Sequence, residues 1–128
     1  MDETVFANLT YMIRIDLSAN KFVSLNGSLF SDLSRLNWLN VGQNPLTFMS
    51  ADLFSGLTSL QSLDLNLNKL AHLEPNIFSS LYNLTTLNLS ENLFGNESRF
   101  DLMDVFNAMV NTKAVSYTHL TLPTILRV

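Results

Sequence analysis

The chain has 128 residues, with 47% apolar and 14% charged side chains, a balance that favours one ordered domain over disorder. Its formal net charge of -4 and pI near 4.8 exclude the basic footprint of a general nucleic-acid binder. Cysteine is absent, which removes disulfides and thiolate metal sites, and no apolar run reaches the length of a membrane span.

In chain order, the first residues, "MDETVFANLT", are acidic and lack the apolar stretch of a secretory signal. Phe6 and Leu9 stand as Phe78 and Leu81 do further on, so residues 1–11 read as the rear half of a truncated repeat. Met1 is then expected to be an internal methionine. The pattern L-x-x-L-x-L-x-x-N-x-L follows, with a period of 24 residues. Its first copy, residues 12–35, carries Met12, Ile15, Leu17, Asn20 and Phe22. The copy at 36–59 carries Leu36, Leu39, Val41, Asn44 and Leu46, and that at 60–83 carries Leu60, Leu63, Leu65, Asn68 and Leu70. The fourth, 84–114, carries Leu84, Leu87, Leu89, Asn92 and Phe94. A second apolar pair trails each block: Phe30/Leu33, Phe54/Leu57, Phe78/Leu81 and Leu102/Val105.

In each L-x-L the alternate residues face opposite ways, so Leu63 and Leu65 should point inward and Asp64 outward. No single repeat can bury its leucines alone, so each must be covered by the next. The recurrent Asn20, Asn44, Asn68 and Asn92 would form a structural ladder, because an amide both donates to and accepts from backbone groups of adjacent turns. Phe30, Phe54 and Phe78 would stack as a spine under the opposite side, each ring burying roughly 150–250 Å². The fourth repeat is longer: Phe100, Met103 and Phe106 suggest a helical segment. Strict periodicity would put Asn111 and Lys113 on core positions, so the next strand is due near residue 115.

These residues resemble the leucine-rich repeat family, in its typical 24-residue form with Phe in the second half. The resemblance covers residues 6 to about 105 and is similar to animal receptor and adhesion ectodomains; the L-x-G-x-I-P stretch of plant receptor kinases is missing. It implies an α/β solenoid, with short parallel strands on the concave side and loops or short helices on the convex side. Residues 115–128 resemble something else. "VSYTHLTLPT" resembles, residue for residue, the translation of a sequencing-library adapter, GTC TCT TAT ACA CAT CTG ACG CTG CCG ACG, so this tail is expected to be non-native.

No catalytic constellation is visible. His72 is the only histidine before the tail, and no glycine-rich phosphate loop exists. Neither a cofactor nor a metal is expected, and no enzymatic activity. In the family the resemblance points to, binding resides on the concave variable positions. Here these are Arg14, Asp16 and Ala19; Trp38, Asn40 and Gln43; Ser62, Asp64 and Leu67; Thr86, Asn88 and Glu91. Trp38 is the natural interface anchor, unless its indole merely covers strand backbone. Leu67 would extend an apolar patch beside it. N-x-S/T sequons stand at Asn8, Asn26, Asn83, Asn88 and Asn96, an excess over chance that leans toward secretion. A glycan on Asn88 would block the concave face.

The expected role is macromolecular recognition in an extracellular or cell-surface receptor or adhesion protein. A protein ligand or co-receptor is the expected partner, with no nucleic acid and no membrane span in these residues. The alternatives are a cytoplasmic scaffold or regulatory subunit, or the binding region of a receptor whose enzymatic domain lies further along. With both solenoid ends uncovered, residues 1–114 are expected to self-associate. Light scattering across a concentration series should show a rising mean mass; a monodisperse monomer would count against the uncovered ends.

Overall fold

The computed structural model describes residues 2–95, 99–110 and 119–121. Asn96, Asn111, Lys113 and the tail segments 115–118 and 122–128 lie outside them. The elements are β1 (Arg14–Asp16), β2 (Ser24–Leu25), β3 (Trp38–Asn40), β4 (Phe48–Met49), β5 (Ser62–Asp64), β6 (Thr86–Asn88), α1 (Arg99–Val110) and β7 (His119–Thr121). Strands β1, β3, β5, β6 and β7 form one parallel sheet in that order, and β2 pairs with β4 in a second, smaller one. The family's leucine-rich solenoid is therefore present.

Register follows from which residue the core accepts. Ile15, Leu39, Leu63 and Leu87 sit at the centre of their strands, are buried, and pair laterally with one another. A slip of one residue would turn these chains to solvent and bring Arg14 or Asp64 inward. Immediately after β3, β5 and β6, Val41, Leu65 and Leu89 are also fully buried, while Leu17 after β1 is only partly so.

The convex side is made of successive tight turns rather than helices. Leu33 N–H donates to Phe30 O, Leu57 N–H to Phe54 O and Leu81 N–H to Phe78 O, each at 3.1 Å. These turns point one phenylalanine per repeat into the core. The rings of Phe6, Phe30, Phe54 and Phe78 stack in sequence, with centroids 6.0, 6.4 and 5.9 Å apart. The spine thus starts one repeat earlier than Phe30. Backbones approach closely here: a Cβ on Gly56 would lie 2.6 Å from the carbonyl oxygen of Ser31. After β6, α1 takes the place of these turns. Its Leu102, Val105 and Met109 are buried, a spacing that puts them on one helical face.

The asparagine ladder ties these layers together. Asn68 Nδ2 donates to the carbonyls of Val41, Leu65 and Asn66, and its Oδ1 accepts from Leu46 N–H at 3.2 Å. Asn44 donates likewise to Leu17, Val41 and Gly42 and accepts from the N–H groups of Asn20 and Phe22. Asn92 repeats the arrangement with Leu65, Leu89, Ser90 and Leu70. Asn44 and Asn68 are the buried polar residues of the core, and no buried side-chain polar atom lacks a partner among the described residues. Asn20 differs. It is exposed, and its Nδ2 donates only within its own turn, to Leu17 and Ser18.

Asn68→Ala should therefore strand buried backbone groups and destabilise the chain by about 1–3 kcal/mol. Asn20→Ala should cost under about 1 kcal/mol, since water can replace its bonds. Urea unfolding of both variants checks the order.

Candidate recognition surface

Strand pairing arranges the concave side chains in two rows. Arg14, Trp38, Ser62 and Thr86 are lateral neighbours, and so are Asp16, Asn40, Asp64 and Asn88. Both rows flank the buried central residues, so alternation sends them to the same outer face. The rows therefore bring together residues that are distant in sequence.

The second row has a further task. Asp16 Oδ1 accepts from the N–H and hydroxyl of Ser18, and Asn88 Oδ1 accepts from the same groups of Ser90. Asn40 Oδ1 accepts from Gly42 N–H and Asp64 Oδ1 from Asn66 N–H, both at 2.9 Å. Each strand thus ends in a side-chain-capped turn, which Asp and Asn form by bonding the N–H two residues on. Reading the second row as variable positions missed this. The signal was available, since all four residues are Asp or Asn.

Ala19, Gln43, Leu67 and Glu91 come at the next step of those turns, with φ of 56°, 56°, 53° and 56°. This left-handed conformation costs a non-glycine residue roughly 1–2 kcal/mol. The turn holds it because Gln43 N–H donates to Asn66 O and Leu67 N–H to Ser90 O in the following repeat. These residues are exposed and stand beyond the strand rows. Gln43, Leu67 and Glu91 border an open groove of about 460 Å³, with Pro45 and Lys69 also on its walls.

Trp38 is half-buried, and the Arg14 guanidinium carbon lies 3.5 Å from the centre of its ring. The indole is thus neither a bare anchor nor a cover for backbone alone: it carries a stacked cation on the neighbouring strand. The carboxyl of Asp16 is held below its ordinary pKa, first by the Ser18 hydroxyl, then by the Ser18 N–H, and least by the charge of Arg14. Among the described residues no group of His, Asp or Glu is placed to hold a metal ion. His72 is exposed on the turn beyond the Asn68 rung.

The sequons differ in setting. Asn8, Asn26 and Asn83 are exposed, away from the concave rows. Asn8 donates its backbone N–H to Asp32 Oδ2, and Asn83 Nδ2 donates to Thr58 O at 2.8 Å. Asn88 is half-buried within β6.

Residues 1–46 and 34–94 match the leucine rich repeat family, and the chain belongs to it. Among solved structures the chain is similar to one in the Toll–Spatzle complex of Drosophila, with 33% identity over 71% of this chain and a TM-score of 0.69. It is similar to a chain of the TLR13–ssRNA13 complex, with 32% identity over 72% and a TM-score of 0.67. The internalin InlF of Listeria monocytogenes is 29% identical over 94% of this chain, with a TM-score of 0.63. The chain spans 12%, 13% and 33% of those three proteins' lengths, respectively. Comparison with curated protein sequences finds no match.

Since the folded Asp16 carboxyl titrates below its unfolded counterpart, its turn stabilises the fold above the ordinary carboxylate pKa of about 3.9. That contribution is lost as pH falls through the lower, folded value. Asp16→Asn keeps the acceptor, as Asn40 and Asn88 show, but does not titrate. The stability of the parent relative to Asp16→Asn should fall as unfolding is repeated from about pH 5 down to about pH 2, and stay level above that range.

Proposed function

We propose that this chain is an extracellular recognition module of receptor or adhesion type, binding a protein ligand on its concave face without catalysing a reaction. The observation that carries the proposal is the pair of side-chain rows on one sheet, each row drawing one residue from every repeat. Turn caps and the ladder hold these rows before any ligand arrives, which lowers the entropy lost on binding. The relatives give support of a general kind, since two of them were solved as complexes, one with Spatzle and one with ssRNA.

The charge favours protein over nucleic acid. In the two rows Arg14 is the only cation, whereas Asp16 and Asp64 are acids, and the chain as a whole is acidic. A polyanion would gain little from such a face. Exposed sequons at Asn8, Asn26 and Asn83 support a secretory route, and glycans on them would leave the concave rows open.

Two measurements test the reading. Directed into the secretory pathway, the chain should show an endoglycosidase-sensitive mass shift that is reduced by Asn26→Gln; absence of any shift would favour the cytoplasmic scaffold. Screened against a panel of secreted and cell-surface ectodomains, binding should fall at least tenfold with Ser62→Arg or Thr86→Arg. Asp52→Arg on the exposed convex side should leave binding unchanged. The reverse pattern would move the site off the concave face.

A further inference from the structure

The two rows carry charge of opposite sign at separate places. Arg14 lies on β1 and Asp64 two strands away on β5, with Trp38 and Asn40 of β3 between them. The Arg14 guanidinium carbon lies 3.5 Å from the centre of the Trp38 ring, and its guanidinium makes no hydrogen bond among the described residues. The N–H donors of a guanidinium lie in its own plane, so one that rests over a ring can still offer two of them at once to a carboxylate. Asp16, the nearest acid in sequence, bonds Ser18 through Oδ1 and already feels the charge of Arg14. Asp64 uses only its Oδ1, for Asn66 N–H. Its second oxygen is left for an incoming cation.

Distance sets the spacing of a complementary ligand. Strands about 4.8 Å apart and a rise of about 3.3 Å per residue separate the Arg14 and Asp64 Cα atoms by about 12 Å. An extended segment covers that in about four residues, a spacing that also returns the side chain to the same face.

We infer that the concave face takes an extended protein segment with an acidic side chain on Arg14 and a basic one four residues away on Asp64. The residues between them lie over Trp38 and Asn40. This rests on the concave face being the binding face, and it adds the chemistry of the partner. An RNA phosphate could also meet Arg14, but the same contact would bring a polyanion against Asp16 and Asp64.

Trp38 is the only tryptophan, so its fluorescence reports this site alone. The probes are the peptide Ac-Glu-Thr-Val-Thr-Lys-NH2, its neutral analogue Ac-Gln-Thr-Val-Thr-Gln-NH2, and oligouridylate. The charged peptide should give a saturable change, at least tenfold stronger in affinity than the neutral one and weakened by added salt. Arg14→Gln should abolish that preference and Asp64→Asn should reduce it; both positions lie outside the core, and circular dichroism can check that the fold is kept. Equal response to both peptides, or a preference that survives Arg14→Gln, would overturn the inference. Tighter binding of oligouridylate would also overturn it, in favour of a phosphate ligand. Should the ectodomain panel still map to Ser62 and Thr86 while the peptides go undistinguished, the charge pattern alone fails and the concave reading stands.

Discussion

The side-chain amide of Asn68 donates to Val41, Leu65 and Asn66 while accepting from Leu46, and so joins the backbone of two successive repeats. The rest of the solenoid depends on that bond set. At the exits of β3 and β5 the chain must turn sharply while its neighbours on both sides are already buried. Water cannot reach those carbonyls and N–H groups, and leaving one unpaired is costly. An amide solves this because donor and acceptor lie on one rigid group. Aspartate could accept but not donate, and leucine could do neither.

With the turns fixed in this way, the rest of the cross-section follows. Strand residues alternate, sending Leu39, Leu63 and Leu87 inward and the two polar rows outward. On the far side the phenylalanine stack sets the distance between repeats, while Gly56 lets neighbouring backbones touch. The second row works in both directions: its Oδ1 atoms close the turns, and what remains of each side chain faces outward with the first row. Residues such as Asp64 are therefore both part of the scaffold and part of the surface. Variation there is confined to Asp and Asn, whereas Arg14, Trp38, Ser62 and Thr86 differ freely.

The fold was legible because period, leucine spacing and ladder asparagines are all local and repeated. Four copies of one pattern leave few alternatives for what Leu63 or Asn68 does. The surface was less legible. Trp38 could be placed on the concave face from its position, but its stacking on Arg14 is a contact between repeats, and no spacing rule encodes it. The left-handed turn residues were hidden for another reason. Ala19, Gln43, Leu67 and Glu91 have no common chemistry, because tertiary hydrogen bonds hold their conformation in place of the glycine that intrinsic preference would select. The extra ring of the spine, Phe6, was visible as a repeat position before it was recognised as a stacking partner.

Native-state hydrogen exchange tests the ladder most directly, at the amides that end on asparagine oxygens. Phe22, Leu46 and Leu70 N–H groups donate to Asn44, Asn68 and Asn92 rather than to backbone. If the ladder carries the fold, Leu46 and Leu70 should exchange only with the same cooperative opening that releases the strand-exit amides of Val41 and Leu65. Exchange of Leu46 and Leu70 at the rate of unprotected turns, with Val41 and Leu65 still closed, would contradict it.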